Sequence, residues 1–448
     1  MCYDFVHTYF MQFHNTALRA LIANQRNRLP DLAAIEATLR DHGTLTFVRL
    51  RSGLFPASPS GIALPESGYA NVWVRDNVYV AHAHAEAGET AVAGEVARAL
   101  LEFFSASQDR FRDVISGRTD PADISRRPHV RFDGERMEEI RHERWPHAQN
   151  DALGYFLWLY ARLAGTGDVP LDTNAVTLLA LFPSYFRAIR YWEDEDSGHW
   201  EETRKVSASS IGTVIAGLEE LFALSRSSGA WAADPSFADD ILELLALGRS
   251  ALASILPGEC AQLAPQKNRR YDAALLFLIY PLEIVDGEMA DLIIHDIERF
   301  LAGRVGIRRY LGDSYWAPDY DKHLRVPERT RNFADDVDVR DRLLEVVGEE
   351  AEWCIFDPIL SVVYGRRFLV TRSPTDRDRQ LHHFNRTLSQ ITPSWECPEL
   401  YYHRDGQLRV GPHTPLQWTQ ANLLLALKSM ARSLESDAHP HEESSHVL

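Results

Sequence analysis

The stretch HAQNDALGYFLWLYARLAG, residues 147–165, carries the clearest structural signal in this sequence. Its apolar residues recur at intervals of three and four, the period of one helix face, at Leu153, Phe156, Leu157, Tyr160 and Ala164. Gly165 follows, where a helix commonly stops. The pattern predicts an amphipathic helix that packs one face against a core.

The same helical period recurs along most of the chain, and strand-like alternation is scarce. SSIGTVIAGLEELFALS (209–225) has Ser209 or Ser210 as a cap, and HTPLQWTQANLLLALKSMARSL (413–434) has Thr414 as cap with Pro415 at the first helical position. Further helices are predicted near residues 3–24, 31–42, 77–90, 92–112, 174–191, 235–255, 271–282, 288–302, 334–347, 351–365 and 374–391.

About a dozen helices without an alignable repeat indicate one large all-α domain, and an α/α toroid is one such architecture. We assign residues 1–435 to this single domain. The remaining residues, 436–448, form a polar tail that is expected to be disordered.

The composition limits the classes of function. The 448 residues are 45% hydrophobic and 25% charged, as in a globular protein. A net charge of -17 at pH 7 argues against nucleic acid or an anionic membrane as partner and favours a neutral one. Cys2, Cys260, Cys354 and Cys397 are too few and too scattered for a disulfide framework or a paired zinc motif, which favours reduced thiols and a cytoplasmic location.

The N-terminus has neither the basic nor the clean apolar region of an export signal. We find no run of about 18 apolar residues, so no membrane span is expected.

Five segments between predicted helices are rich in Trp, Arg, Asp and Glu. They are GYANVWVRDN (68–77), ERWPHAQND (143–151), GHWEETRK (198–205), IRRYLGDSYW (307–316) and SWECPELYYH (394–403). Loops seldom need tryptophan for packing, whereas sugar sites combine aromatic platforms with charged groups that bind hydroxyls. The clustering therefore favours a carbohydrate site.

The motifs in these segments resemble glycoside hydrolase family 15, the glucoamylase family. They are more similar still to the glucoamylase-like domain of the phosphorylase kinase α and β subunits. The matching pieces are WVRDN at 73–77, WPHAQND at 145–151, HWEE at 199–202, RYLGDSY at 309–315, EWCIF at 352–356 and CPELYY at 397–402, the last followed by PLQWTQANLLLAL. The resemblance implies an (α/α)6 barrel, a toroid of six helical hairpins.

The resemblance also implies a function and a set of site residues. Glu201 would be the general acid and Glu399 the general base of an inverting, exo-acting α-glucosidase that releases glucose from maltooligosaccharides or related α-glucosides. The substrate-binding residues it implies are Tyr69, Trp73, Arg75, Asp76, Trp145, Gln149, Asp151, Trp200, Glu202, Arg309, Asp313, Trp353 and Trp418. No cofactor is implied. The histidines, including His82 and His84, lack a third ligand at metal spacing.

Two of these implied contacts are specific. Tyr69 should lie within hydrogen-bonding distance of Glu399. Arg75, Asp76 and Arg309 should form a charged clamp on the terminal sugar.

The adjacent pair Glu201 and Glu202 has a chemical rationale. Inversion requires a protonated carboxyl on the leaving oxygen and an ionised carboxylate that activates water. The charge of Glu202 and desolvation by a tryptophan wall should both raise the pKa of Glu201. Glu202 should stay ionised and bind a sugar hydroxyl.

Each assignment has a simpler alternative. Two acids at a helix entrance can be favoured by the helix dipole alone, Arg75 and Asp76 can form a structural ion pair, and the tryptophans can be core aromatics. Glu396, beside Trp395, competes with Glu399 for the role of base. The second functional hypothesis is a non-catalytic sugar-sensing or scaffold protein, because CPELYY has the form found in the kinase subunits.

Overall fold

A computed structural model of the chain describes residues 13–23, 28–63, 67–140, 145–234, 236–262, 268–318 and 349–438. Within these ranges the chain forms fifteen α-helices: α1 Thr16–Ala23, α2 Leu29–Asp41, α3 Ser60–Ala63, α4 Val74–Glu86, α5 Thr90–Ala106, α6 Asp109–Ile115, α7 Asn150–Thr166, α8 Thr173–Ile189, α9 Ala208–Ser228, α10 Ser236–Ile255, α11 Leu276–Ile279, α12 Gly287–Asp296, α13 Phe356–Thr371, α14 Pro374–Ser389 and α15 Gln417–Ala438.

Six of these helices form a closed inner ring. Each contacts the next in the order α4, α7, α9, α11, α13 and α15, and α15 returns to α4. A second layer packs outside it, with α5 on α4, α10 on α9, α12 on α11, α14 on α13 and α2 on α15, while α8 contacts α5 and α10. In α4 every residue from Val74 to His84 is buried, as expected for a helix surrounded by others. The predicted all-α toroid is confirmed.

Helices α7 and α9 approach each other closely at two glycines. A Cβ atom at Gly154 would lie 2.7 Å from the carbonyl carbon and oxygen of Thr213, and one at Gly217 would lie 2.7 Å from the carbonyl oxygen of Gly154. Neither position has room for a larger side chain, so the two glycines set the separation of these inner helices.

Two small antiparallel sheets stand at the N-terminal ends of the inner helices. In the first, β1 (Val72–Trp73) pairs with β2 (Arg131–Phe132), with Trp73 opposite Arg131. In the second, β3 (Glu352–Trp353) pairs with β4 (Leu400–Arg404), which pairs with β5 (Gln407–Val410). The sheets fix Trp73 just before α4 and Trp353 just before α13.

Several helix ends differ from the sequence-based expectation. Helix α7 runs past Gly165, and Gly167 adopts the left-handed conformation at its C-cap. Helix α9 begins at Ala208 after Ser207, so Ser209 and Ser210 lie inside it rather than capping it. Helix α15 begins at Gln417, and the Thr414 hydroxyl donates to the carbonyl of Gly411 instead of capping the helix.

Other elements are shorter or displaced. The helix predicted at 271–282 consists of a 3₁₀ turn, Ala273–Leu275, and the single turn of α11. The helix predicted at 351–365 begins at Phe356 because β3 occupies its start. Helix α15 continues to Ala438, so the first residues of the expected tail are helical. The rest of that tail, the helix predicted at 334–347, and half of the one predicted at 3–24 lie outside the described residues.

Helix α9 has the length and composition of a membrane-crossing helix, contrary to the expectation of no such run. However, 72% of its apolar window is buried inside the fold. Its place in the inner ring accounts for its apolar composition.

We predict that Gly154→Ala destabilises the protein because the new methyl group would push α7 and α9 apart. The expected loss in free energy of unfolding is about 1–3 kcal/mol, measured by urea denaturation. Gly165→Ala, on the same helix, is the matched control, since a Cβ there meets nothing within 4 Å. It should raise stability by up to about 1 kcal/mol through helix propensity. Equal effects of the two substitutions would contradict the close approach.

Candidate active site

One cavity opens at the N-terminal ends of the inner helices, and all five charged and aromatic segments of the sequence contribute to it. Eleven of the fifteen predicted site residues line it: Tyr69, Trp73, Arg75, Asp76, Trp145, Trp200, Glu201, Arg309, Trp353, Glu399 and Trp418. The remaining lining residues are Ala57, His199, Tyr315 and Leu416. The sequence segments therefore converge on one site, as expected.

Glu201 is presented to the cavity by a strained turn. It follows a 3₁₀ turn, Gly198–Trp200, and adopts a left-handed conformation with φ 58° and ψ 40°. This conformation costs a non-glycine residue about 1–2 kcal/mol. One carboxylate oxygen, Oε1, accepts hydrogen bonds from Trp73 Nε1 at 2.7 Å and from Arg75 Nη2 at 3.1 Å. Its Oε2 accepts none among the described residues, so that oxygen is available to a ligand.

The pKa of Glu201 is raised, as expected, but mainly for a different reason. Burial is the largest cause, and the charges of Arg75 and Arg131 with the Trp73 hydrogen bond partly offset it. Asp151 is the acid that adds to the shift, and the neighbouring Glu202 is not among its main causes. The expectation that Glu202 keeps Glu201 protonated by repulsion is therefore corrected.

Glu202 points away from the cavity into a cationic pocket. Its side chain is fully buried and accepts hydrogen bonds from Lys205 Nζ at 2.7 Å, from Arg269 and from the hydroxyl of Tyr310. Burial alone would raise the pKa of Glu202, but Arg269 and Lys205 outweigh it and hold the pKa well below its usual range. Glu202 is ionised, as expected. However, it does not line the cavity, and its carboxylate is already hydrogen-bonded to Lys205, Arg269 and Tyr310.

Glu399 lies in the cavity with one oxygen held and the other unpaired. Its Oε1 accepts a 2.6 Å hydrogen bond from the Tyr69 hydroxyl, which lies 2.7 Å from the Tyr315 hydroxyl. Its Oε2 is buried and has no hydrogen-bond partner among the described residues. The predicted contact between Tyr69 and Glu399 is confirmed. Glu396 is absent from the lining and bonds to the Ser394 hydroxyl, so Glu399 is the carboxylate of this pair that reaches the cavity.

Burial raises the pKa of Glu399 to about 8, against the smaller opposing effects of Tyr69 and Arg309. Burial likewise raises the pKa of Asp76 to about 7, although Arg75 lowers it. Asp76 and Glu201 each raise the pKa of Glu399, so the carboxyls of this cavity titrate as an interacting group.

Arg75 is held by residues that lie behind the cavity wall. Its Nη1 donates to Asp151 Oδ2 at 2.5 Å and to Gln149 Oε1 at 3.4 Å. Asp151 is completely buried at the start of α7, and Gln149 precedes it. Asp151 and Gln149 were predicted to bind substrate, but neither lines the cavity. They orient Arg75, which lines it.

Arg309 lines the cavity among aromatic rings. Asp313 accepts two hydrogen bonds from its guanidinium, at 2.6 and 2.7 Å, and is fully buried behind it. The guanidinium carbon lies 4.8 Å from the ring centre of Trp353 and 5.2 Å from that of Trp200. Cation–π contacts with these rings and the hydrogen bonds to Asp313 fix the position of the Arg309 guanidinium.

Sequence reasoning missed several residues that shape the site. Tyr315 and His199 belong to the motifs RYLGDSY and HWEE, so the sequence could have identified them. Arg131 belongs to none of the motifs. The pairing of β2 with β1 places its guanidinium carbon 4.4 Å from the Trp73 ring centre and 3.9 Å from that of Trp145. His199 is neutral, since burial lowers its pKa to about 3.

Five buried polar atoms without hydrogen-bond partners in the described ranges lie on side chains that line this cavity. Among the described residues, the unpaired atoms of lining side chains are Arg75 Nε, Trp145 Nε1, Trp353 Nε1, Trp418 Nε1 and Glu399 Oε2. Leaving such a group unpaired costs about 1–3 kcal/mol each. Within the described part of the chain, no group of three or more His, Cys, Asp or Glu is arranged to hold a metal ion. The cavity thus offers a ligand several hydrogen-bond donors and one acceptor that the described residues leave unpaired.

Comparison with known proteins links this chain to one enzyme family. The family model described as glycosyl hydrolases family 15 matches residues 36–311. The chain is also similar to a probable phosphorylase b kinase regulatory subunit alpha of Caenorhabditis elegans, with 26% identity over 286 residues, 55% of this chain and 21% of that protein. A third match is the uncharacterized lipoprotein YgeQ of Escherichia coli K12, 30% identical over 149 residues, 30% of this chain and 56% of that protein. The matches thus span about a fifth to about a half of these relatives.

Solved structures share the fold. A wild-type glycosidase superposes with a TM-score of 0.63 at 17% identity, and a glycosidase variant in complex with glucose with 0.64 at 17%; each match covers 89% of this chain and 98% of the other. A glucoamylase from Saccharomycopsis fibuligera has a TM-score of 0.57 at 14% identity, over 96% and 98%. At these identities the likeness concerns the fold, and it confirms the six-hairpin toroid.

We predict that Glu399 makes stability depend on pH. Its folded pKa of about 8 exceeds the ordinary value of 4.5, so the folded protein binds this proton more tightly than the unfolded chain. The free energy of unfolding contributed by Glu399 is therefore greatest below pH 4.5 and is lost as pH rises through 8. Glu399→Gln stays neutral, so variant minus wild-type stability should rise by about 4 kcal/mol from pH 5 to pH 9 in urea denaturation.

Glu396→Gln, outside the cavity, controls for the substitution itself. A difference between Glu399→Gln and wild type that stays constant from pH 5 to pH 9 would show that Glu399 is not held protonated by burial.

Proposed function

The chain belongs to glycosyl hydrolase family 15, and on this premise we propose that it is an inverting, exo-acting α-glucosidase. In this proposal it removes the terminal glucose from maltooligosaccharides or related α-glucosides, with Glu201 as general acid and Glu399 as general base. The family membership sets the class of reaction. The residues of the cavity supply the argument for the assignment of roles.

The observation that carries the proposal is the set of unpaired polar atoms around one cavity. Arg75 Nε and the indole nitrogens of three tryptophans are donors, and Glu399 Oε2 is an acceptor. A pyranose ring presents hydroxyls that accept and donate, together with apolar faces that pack on tryptophan. Binding a terminal sugar would satisfy groups that the protein alone leaves unpaired, and Arg75, Asp76 and Arg309 would supply the charged hydrogen bonds.

Glu201 is suited to protonate the leaving oxygen. Burial favours its neutral form, and its Oε1 is occupied by Trp73 and Arg75, which leaves Oε2 to carry the proton. A carboxyl held in one orientation donates its proton along one direction, which is what bond cleavage at a fixed glycosidic oxygen requires.

Glu399 is suited to activate water once it is ionised. Tyr69 holds Oε1, so Oε2 is free to accept a proton from a water molecule. The buried environment makes this carboxylate a stronger base than an exposed glutamate but lowers its ionised fraction at neutral pH. The rate of hydrolysis should therefore increase as the pH rises towards 8, as long as Glu201 remains protonated.

The alternative is a protein that binds sugar without cleaving it. The similarity to phosphorylase kinase regulatory subunits supports this reading, and so does the tendency of Glu399 to stay protonated. The two hypotheses share the binding cavity and differ in turnover.

We predict that the wild-type protein releases glucose from at least one member of a panel of α-glucosides. Glu201→Gln and Glu399→Gln should each lower kcat by about 10²–10⁴, because each removes one proton-transfer group while keeping its shape. Calorimetry with maltose should show that both variants still bind. Glu396→Gln, the matched control, should retain wild-type kcat.

Sugar binding without release of glucose from any member of the panel would exclude the hydrolase and leave the sensor. Loss of kcat in Glu396→Gln together with an active Glu399→Gln variant would contradict the assignment of the base.

A further inference from the structure

A second cavity, which we call the basal cavity, lies at the opposite end of the inner ring. Its charged and polar lining comes from α4 (His82, Glu86), α7 (Arg162), the segment after α11 (Tyr280, Glu283), α13 (Arg366) and α15 (Lys428, Ser429, Arg432). Its volume is about 260 Å³. Helices α4, α7 and α15 begin beside the first cavity, so the two cavities are separated by roughly the length of a 13-residue helix, about 20 Å.

Positive charge predominates in the basal cavity, although the chain as a whole is acidic. Four cations line it, Arg162, Arg366, Lys428 and Arg432, against two carboxylates, Glu86 and Glu283. The lining therefore has an excess of two positive charges. His82 adds none, because burial and three of these arginines lower its pKa to about 4.

Local ion pairs neutralise part of this charge. Arg432 pairs with Glu86 at 2.9 Å and Arg366 with Glu283 at 2.5 Å. Lys428 pairs at 3.1 Å with Glu36, outside the cavity, but Glu36 already pairs with Arg40 at 2.8 Å. Because Arg40 and Lys428 share the one carboxylate of Glu36, the positive charge of Lys428 is only partly neutralised.

Arg162 has no carboxylate partner within hydrogen-bonding distance among the described residues. Its guanidinium carbon lies 5.4 Å from the centre of the Trp158 ring. Glu220, in the adjoining groove, interacts with it only at longer range. All five donors of the Arg162 guanidinium are therefore open to a ligand.

The helix dipole does not explain this group of cations. Arg162 lies one turn before the last residue of α7, Thr166, so the C-terminal partial charge favours it only weakly. The C-terminal ends of α4 and α7 contribute about half a negative charge each, which two excess positive charges outweigh. Cations from three different helices converge here, and a small dianion would balance the excess.

We propose that the basal cavity binds the phosphate group of a small phosphorylated molecule. A phosphate monoester carries a charge of about -1.5 to -2 at pH 7 and three acceptor oxygens, which match the charge excess and the fork of donors on arginine. The cavity is also large enough for a small organic group attached to the phosphate. This site is independent of the reaction proposed for the first cavity.

Calorimetry and thermal unfolding at constant ionic strength test the proposal, with inorganic phosphate and a hexose 6-phosphate as probes. Each should bind and raise Tm. Arg162→Gln should weaken binding of both probes at least tenfold, and it leaves no carboxylate unpaired. Arg366→Gln provides a second variant. Arg118→Gln removes an exposed arginine that is not part of the cavity lining and should bind both probes like the wild type.

Tighter binding of the hexose phosphate than of inorganic phosphate, lost in Arg162→Gln, would assign the site to a phosphorylated sugar. Equal affinities would assign it to the phosphate group alone. The proposal is overturned if neither probe binds, or if Arg162→Gln and Arg366→Gln bind both probes as tightly as Arg118→Gln does.

Discussion

Arg75 carries its positive charge into the top of the helical ring, where 4% of its side chain is exposed. A charge buried this deeply is tolerated when it is paired and hydrogen-bonded. One guanidinium nitrogen donates to Asp151 and Gln149 at the start of α7. Another donates to Glu201, in the turn before α9. The arginine thus ties the ends of three inner helices together and holds the Glu201 side chain at the cavity.

The contrast between Glu201 and Glu202 shows how one turn gives neighbouring residues different surroundings. The left-handed conformation of Glu201 sends its side chain into the cavity and the next one into the pocket of Lys205 and Arg269. One carboxyl then has a raised pKa and the other a lowered pKa. The two pKa values differ because Glu201 is buried in the cavity wall, whereas Glu202 is surrounded by cations. Repulsion between the two carboxyls is not the cause.

The sequence predicted the toroid and most of the cavity because both depend on local patterns. Helical periodicity identifies buried helices such as α7, and Trp73, Glu201 and Glu399 stand in short motifs. Periodicity could not show that β3 would displace the start of α13, because a two-residue strand forms only when a distant partner, β4, pairs with it.

Contacts between distant segments explain the remaining differences. Arg131 reaches the site through strand pairing with Trp73, and Arg269 reaches Glu202 across 67 positions of the chain. Neither residue stands in a recognisable motif. Asp151 and Asp313 were identified in motifs, but sequence does not distinguish a residue that touches ligand from one that holds an arginine in place.

In the proposed reaction, Glu201 and Glu399 act from opposite sides of one sugar. Proton NMR of the first glucose released from an α-glucoside, recorded before mutarotation, shows whether they do. A single displacement by water activated at Glu399 gives β-glucose. First-formed α-glucose would show retention, and it would contradict the roles assigned to the two carboxyls.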